Sequence, residues 1–383
     1  MLYRKMGKTN EKVSVLGFGC MRLPVIDGEQ TNIDEEKATK MLRYAIDNGV
    51  NYVDTAYPYH GTGFDKPGES EPFVARALKD GYREKVNLAT KLPIWLVQSR
   101  EDMDRLLNEQ LERLETDKID FYLLHSLNKS SWENLKKLGI EEFLDQAIED
   151  GRIKYAGFSF HSDINSFKEI VDSYDWSFCQ IQYNYLDENY QAGREGLEYA
   201  ADKGLGVVIM EPLRGGNLAG EIPEEILNKW EEAPIKRTPA QWALRWVMNH
   251  PEVSVVLSGM TAMEHVKDNI NTAQRGEPNS LTEQEIELVN YAKKVFKDKT
   301  KINCTGCRYC MPCPQGVDIP YNFAIYNNAY LFNDIEGAKT QYEMFLSDEA
   351  KAVNCIECGI CESHCPQDIP IRKELKNVRA ALE

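Results

Sequence analysis

Short apolar runs recur through the first 298 residues, and between them apolar positions return every three or four residues. The runs are Val15–Met21, Asn51–Ala56, Val86–Lys91, Ile119–His125, Ile153–Phe160, Phe178–Asn184, Gly206–Leu213 and Val253–Met260. Most are β-branched or aromatic and almost continuously apolar, as strands buried on both faces should be. Helical periodicity fills the gaps, for example at Glu35–Asn48, Glu101–Leu114 and Thr238–Asn249. Eight such strands with intervening helices, over roughly 250–300 residues, predict an α/β fold of the closed (β/α)8, or TIM-barrel, kind. Leu2–Val13, with Gly-Lys-Thr-Asn at a turn, predicts a hairpin ahead of the first barrel strand. An open doubly wound sheet is the competing fold. It calls for a Gly-x-Gly-x-x-Gly turn, of which Gly17-Phe18-Gly19 supplies only the first two glycines.

The pattern changes after a basic stretch running from Lys293-Lys294 to Lys301. This divides the chain into residues 1–298, the barrel, and residues 299–383. Of ten cysteines, only Cys20 and Cys179 precede the change, and the other eight lie between Cys304 and Cys365. In an intracellular protein such density points to metal rather than disulfides. The second motif, Cys355-Ile-Glu-Cys358-Gly-Ile-Cys361-Glu-Ser-His-Cys365-Pro366, is C-x2-C-x2-C-x3-C-P, the bacterial ferredoxin spacing. The first, Cys304-Thr-Gly-Cys307-Arg-Tyr-Cys310-Met-Pro-Cys313-Pro314, has a final gap one residue shorter. Three thiolates on one tight loop hold three corners of a cubane, and the fourth cysteine reaches the other cluster. By that crossed rule Cys304, Cys307, Cys310 and Cys365 bind one [4Fe–4S] cluster, and Cys355, Cys358, Cys361 and Cys313 bind a second. Paired C-x2-C units also suit structural zinc, but two four-cysteine runs that each end in Cys-Pro favour iron–sulfur. Helical patterning at Ile319–Phe332 and Ile335–Phe345 resembles the helical two-cluster ferredoxins, so the smaller domain is expected to be mainly α-helical.

Charge narrows the partners. The formal net charge is −16, and such a surface repels phosphate backbones, which argues against nucleic acid. It would suit a basic redox partner protein. No stretch approaches eighteen uninterrupted apolar residues and no basic-then-apolar leader opens the chain, so no membrane association is expected and the location expected is the cytoplasm.

Barrel enzymes place their chemistry at the C-terminal ends of the strands. Here those ends carry Asp54, Lys91, His125, Ser159, Gln180, Glu211 and Gly259. Each has an ordinary structural explanation alone; a row of them closing successive apolar strands describes an active-site mouth. The words Leu16-Gly-Phe-Gly19, Asp54-Thr-Ala-Tyr-Pro-Tyr59, Ala89-Thr-Lys91, Leu123-Leu-His125, Gly157-Phe-Ser159, Gln180-Ile-Gln-Tyr183, Glu211-Pro-Leu213 and Ser258-Gly259 resemble the aldo-keto reductases across nearly all of residues 1–298. With the cysteine motifs, the whole chain resembles the members that carry a C-terminal 4Fe–4S dicluster domain.

That resemblance implies an oxidoreductase that reduces a small-molecule carbonyl with NADPH or NADH, using a tetrad of Asp54, Tyr59, Lys91 and His125. Hydride transfer to a carbonyl leaves an alkoxide that needs a proton. A free tyrosine, with a pKa of about 10, holds its proton tightly near pH 7. A lysine ammonium about 4 Å away, at an effective dielectric of ~20, stabilises the phenolate by roughly 4 kcal/mol. That corresponds to ~3 pKa units before desolvation opposes it. Tyr57 is a competing phenol, but the family's tyrosine lies five after the aspartate.

The resemblance further implies cofactor contacts at Gly19, Met21, Ser159, Gln180, Met210, Glu211, Pro212, Leu213, Arg214, Gly259, Met260, His265, Asp268 and Asn269. Ser159 and Gln180 match residues that hold the nicotinamide carboxamide. Phe160 stands where the family has an asparagine, Met210 where an aromatic ring stacks, and Glu211 where a serine is common. Asp268 and Asn269 match the adenine-binding pair. Gly259 and His265 replace basic residues that clasp a 2′-phosphate, with Lys267 and Arg214 as substitutes, so the choice between NADPH and NADH stays open. Nicotinamides move two electrons and each cluster one, so coupling the halves directly would require a flavin-like mediator, for which no motif is visible. A ferredoxin-like electron-transfer enzyme using such a flavin is the second reading. A regulatory iron–sulfur protein on a retired barrel is the third.

Overall fold

The computed structural model describes the chain except for residues 221, 305, 307–309 and 366. A hairpin opens it, with β1 (Tyr3–Lys5) antiparallel to β2 (Lys12–Ser14). Eight barrel strands follow: β3 (Leu16–Gly19), β4 (Tyr52–Asp54), β5 (Asn87–Leu92), β6 (Ile119–Leu127), β7 (Ile153–Phe160), β8 (Phe178–Gln182), β9 (Gly206–Met210) and β10 (Val253–Gly259). Each pairs in parallel with the next, and β10 returns to β3 to close the barrel. The (β/α)8 architecture and the leading hairpin are as the hydrophobic pattern predicts.

Local sequence explains where the elements stop. Asp34 accepts from the Lys37 N–H to cap helix Glu35–Asp47, and Ser99 with Asp102 forms a capping box on helix Arg100–Arg113. Strand β9 ends at Met210, short of the apolar run, because Glu211 takes φ +55° and Pro212 has no N–H to give the ladder. Strand β6 runs further than its apolar pattern, through His125 to Leu127. Its register with β7 slips between Leu124 and Leu127, where Ser126 has φ +55°.

The barrel is filled rather than hollow. Tyr52, Ala89, Phe121, Leu123, Phe178, Val208 and Val255 share one buried cluster with Met6 and Val13 of the hairpin, which plugs the N-terminal end. Gly206 makes room for that plug: a β-carbon there would sit 2.3 Å from Met6 Sδ. The polar residues that close the strands lie at the opposite end of the barrel from this plug.

The chain divides into two compact units, Met1–Gly215 with Ala240–Thr282, and Gly216–Pro239 with Glu283–Glu383. The second is helical, with Glu283–Lys299, Ile319–Leu331, Ile335–Phe345 and Ile371–Leu382 as its longer helices. Its core joins Ile302, Val317, Phe323, Tyr342, Leu375 and Val378. Among the described residues no helix is long and apolar enough to cross a membrane.

Candidate functional site

Strand register gathers the polar strand ends into one mouth. Gly259 pairs with Gly19 and Gly19 with Asp54, while Ser159 pairs with Gln180. At the centre Lys91, 1% exposed, donates from Nζ to both Asp54 carboxylate oxygens at 2.8 Å and to the Thr55 carbonyl at 2.9 Å. Its fourth neighbour is the Tyr59 hydroxyl at 3.4 Å. Tyr57, the competing phenol, is instead buried near Glu109 and Arg113.

Burial pulls the Lys91 ammonium down, but Asp54 and Tyr59 more than reverse this, so its pKa rises and it stays protonated. Burial raises the Asp54 carboxyl while Lys91 opposes it, and the two-oxygen contact keeps the pair ionic. The Tyr59 phenol is shifted upward, against the lowering that lysine alone predicts. Burial is the largest cause, Lys91 pulls the other way, and Asp54 cancels part of the lysine's charge.

His125 sits in the register slip of β6, held there because Ser159 Oγ accepts from the Ser126 N–H at 2.8 Å. Bulges next to active sites re-aim side chains, and this one turns the imidazole edge-on to Tyr59 with ring centroids 6.2 Å apart. Burial, then Lys91, then His161 hold its pKa well below 6.5, so the ring is neutral. Its Nδ1 is buried without a hydrogen-bond partner. Trp95 lies 5.2 Å from His125 between centroids, and Phe64 packs edge-on to Trp95 while its carbonyl accepts from the indole N–H at 2.8 Å. The hydrophobic pattern points to neither residue as part of the mouth, because Phe64 lies in a loop and Trp95 in a single 3-10 turn, Ile94–Leu96, both too short to carry a period.

The expected cofactor residues fare unevenly. Gln180 is 3% exposed, its Nε2 lies 3.6 Å from Met210 Sδ, and its Oε1 is buried without a partner. Phe160 packs into an aromatic layer with Phe158 and Phe167, away from the mouth. Met260 is fully buried and Met21 half exposed. Asn269 is buried and donates to Ser258 Oγ, while Asp268 accepts from Gln241 at 2.5 Å. Arg214 is paired with Asp187 at 3.5 Å, which also accepts from Gln182 and Asn184. Asn184 donates in turn to the Glu211 carbonyl, so the turn Glu211-Pro212-Leu213-Arg214, left-handed at both ends, is tied to the loop after β8. Lys267 lies over the Tyr44 ring and His265 beside Thr261 Oγ1.

The cysteine loops belong to the second unit. Cys304, Cys310, Cys313, Cys355, Cys361 and Cys365 lean on its core and Cys358 is exposed; Cys307 lies outside the described residues. Two buried asparagines on helix Ile319–Leu331 seat the segments that enter the loops. Asn327 accepts from the Lys301 and Ile302 N–H groups and donates to the Ile302 carbonyl, just before Cys304. Asn322 donates to the Ala350 carbonyl and accepts from the Tyr342 hydroxyl, which itself accepts from the Ala352 N–H before Cys355. The residue preceding the second cysteine of each motif, Gly306 and Glu357, is left-handed in both, with φ +70° and +58°. The two motifs thus share a left-handed residue at this position as well as the spacing of their first three cysteines.

A lysine–aspartate pair buried against a tyrosine at the mouth of a parallel barrel is accompanied by a direct family match. Residues 15–290 match the model of the aldo/keto reductase family. The chain belongs to the aldo/keto reductase family. Residues 303–369 match a 4Fe-4S dicluster domain. Aldo-keto reductase AKR11C1 from Bacillus halodurans, in its holo form, is 27% identical and superposes with a TM-score of 0.62 over 76% of this chain and 96% of that one. Uncharacterized oxidoreductase YrpG of Bacillus subtilis is 28% identical over 72% of this chain and 91% of its own length. Probable aldo-keto reductase 1 of Glycine max is 26% identical over 70% and 82%. This member of the family is therefore an oxidoreductase with a helical 4Fe–4S domain appended to its barrel.

Proposed function

We propose that the barrel reduces the carbonyl of a small aldehyde or ketone to an alcohol with NADPH or NADH, and that the C-terminal unit carries two [4Fe–4S] clusters. The observation that carries the first part is Lys91, an ammonium buried between Asp54 and the Tyr59 hydroxyl. The nicotinamide fits the residues present: Gln180 Oε1, a buried acceptor with no partner, suits a carboxamide N–H. When bound, the nucleotide supplies the hydride. Tyr59 then gives its O–H proton to the nascent alkoxide, and Lys91 stabilises the phenolate left behind. His125 donates from Nε2 to the carbonyl oxygen and orients it, as a neutral imidazole whose Nδ1 bears the lone pair. Asp54 keeps Lys91 charged and aimed.

The directions of these shifts predict the pH profile. Tyr59 acts in its protonated form and its pKa is raised, so kcat for reduction should stay level from neutral pH upward and fall only above about pH 10. His125 acts neutral with its pKa well below 6.5, so no inflection is expected in the ordinary histidine range. A kcat profile that breaks between pH 6 and 7 would contradict this assignment.

All eight cysteines in the two motifs are thiol donors, and six of them, drawn from both motifs, rest on one core, which suits iron–sulfur better than isolated zinc sites. When bound, the clusters supply one-electron steps. Anaerobically purified protein is expected to be brown with about eight iron and eight sulfide per chain, and to oxidise NADPH or NADH when small aldehydes are added. Stoichiometric zinc would overturn the cluster proposal. Bleaching of the clusters by the nucleotide without carbonyl turnover, with a flavin in the spectrum, would favour an electron-transfer enzyme instead. We place the reaction in the cytoplasm, where reducing conditions preserve thiolate ligands.

A further inference from the structure

Glu71 is a fully buried carboxylate that takes no part in the tetrad, yet it lies directly behind it. Its Oε1 accepts from Thr90 Oγ1 and from Gln110 Nε2, both at 2.7 Å, and its Oε2 accepts from Arg113 Nε at 3.0 Å. Thr90 precedes Lys91 on β5, and Gln110 Nε2 also reaches the Lys91 carbonyl at 3.1 Å. Gln110 is held from its other side by the Tyr122 hydroxyl, which donates to Oε1 at 2.8 Å. A buried, fully satisfied network of this kind specifies one arrangement of its members.

The adjacent residue does the complementary task. Ser70 Oγ shares a hydrogen bond with Thr55 Oγ1 at 2.8 Å and donates to the Cys20 carbonyl at 3.2 Å. The carbonyl of Thr55 is the one that accepts from Lys91 Nζ. The Ser70 N–H donates to the Tyr59 carbonyl at 3.2 Å, and Arg113 donates to the carbonyl of Gly68, so the loop between Tyr59 and Ser70 is closed at its base. We infer that Ser70 and Glu71 are positioning residues for proton transfer: Glu71, through Gln110 and Thr90, fixes the backbone of Lys91, while Ser70 fixes the carbonyl that receives its Nζ and the backbone of Tyr59. The inference rests on the reading that Tyr59 gives the proton and Lys91 stabilises the phenolate.

The contact under control is the longest of those Lys91 makes, Nζ to the Tyr59 hydroxyl at 3.4 Å. A shift of a few tenths of an ångström takes it beyond hydrogen-bond reach, while the shorter contacts to Asp54 survive. Loosening the network should therefore act on the tyrosine's acidity before it acts on the ion pair.

The test compares Glu71→Gln with the wild-type chain, and adds Gln110→Met, which keeps Glu71 paired with Thr90 and Arg113, in case the first variant fails to fold. Two readouts are taken. One is the ionisation of Tyr59 itself, from the 295 nm absorbance titration of each protein minus that of its Tyr59→Phe derivative, which needs no turnover. The other is kcat and KM for aldehyde reduction. In a folded variant the Tyr59 midpoint is expected to rise by about one unit, a tenfold change in acidity, with kcat down about tenfold or more and KM within about twofold. A folded variant with the wild-type Tyr59 midpoint and wild-type kcat overturns the inference and leaves Glu71 a stabilising residue only. If the wild-type chain reduces no carbonyl, the proposed activity fails on its own, and the Tyr59 midpoint still decides whether Glu71 and Gln110 set the lysine–tyrosine contact.

Discussion

Replacing Tyr59 with phenylalanine is expected to lower kcat for carbonyl reduction by about 10²–10⁴-fold, the range for loss of a positioned general acid. The change deletes one oxygen. Lys91 retains both carboxylate oxygens of Asp54 and the Thr55 carbonyl, so its charge and orientation survive. No buried acceptor is orphaned, because among the described residues the hydroxyl's hydrogen bond is with the lysine, which keeps three others. Nucleotide affinity should therefore stay within a factor of about two, and so should KM, since an interaction made only in the transition state is what has been removed. Steady-state kinetics with a fluorescence titration of NADPH or NADH checks both. Retention of more than about a tenth of kcat would transfer the proton to another group.

Replacing Arg4 with methionine is expected to destabilise the barrel by about 3 kcal/mol, a large single-residue effect. Arg4 lies on the first hairpin strand, and its guanidinium fork is shared among four carbonyls. Nη1 donates to His250 at 2.9 Å and to Val253 at 2.7 Å, while Nη2 donates to Met248 and, at 2.8 Å, to Gly276. Met248 ends helix Pro239–Met248 and Val253 begins β10, so one side chain joins a helix C-terminus, the last barrel strand and the loop after helix Met263–Ala273 to the N-terminal plug. Methionine preserves the apolar stem and leaves those carbonyls to find water. Five of the six tryptophans lie in the barrel unit, so fluorescence-detected urea unfolding reports mainly on it. The midpoint should fall with little change in slope, and an unchanged midpoint would show that the fork is dispensable.

The site was only partly legible in the chain. Strand ends are readable because a polar residue closing an apolar run stands out, and Asp54, Lys91 and His125 were found that way. Gln110 was not, although a signal existed. It occupies the buried stripe of its helix with Met103, Leu106 and Leu107, and an amide on such a stripe marks a buried polar contact. Glu71 gave no comparable signal, since an acidic residue in a first helical turn has an ordinary explanation in the helix dipole. The direction of the Tyr59 shift was also out of reach. A distance and a dielectric constant predict what Lys91 does to the phenol; how far burial and Asp54 oppose it depends on how deeply the strands bury all three.

Asn269 and Arg214 show the same dependence on neighbours among the residues expected to bind a cofactor. The resemblance implies nucleotide contacts for Asn269 by motif position and for Arg214 as a substitute for a missing basic residue; in the fold Asn269 donates to Ser258 and Arg214 pairs with Asp187. Motif position is a matter of register, and register survives divergence. Side-chain direction depends on neighbours from other elements.

By itself, the sequence determined the alternation of strands and helices, the hairpin, the two cysteine loops and the polar row at the strand ends. All of these follow from periodicities and spacings within a few residues, where backbone geometry leaves few choices. Only the tertiary structure decided that His125 rides on a bulge pinned by Ser159, that burial outweighs Lys91 at the Tyr59 phenol, and that a carboxylate behind β5 braces the lysine. Those contacts join residues tens of positions apart, and they exist because closing the barrel brings the ends of β4, β5, β6 and β7 around one axis.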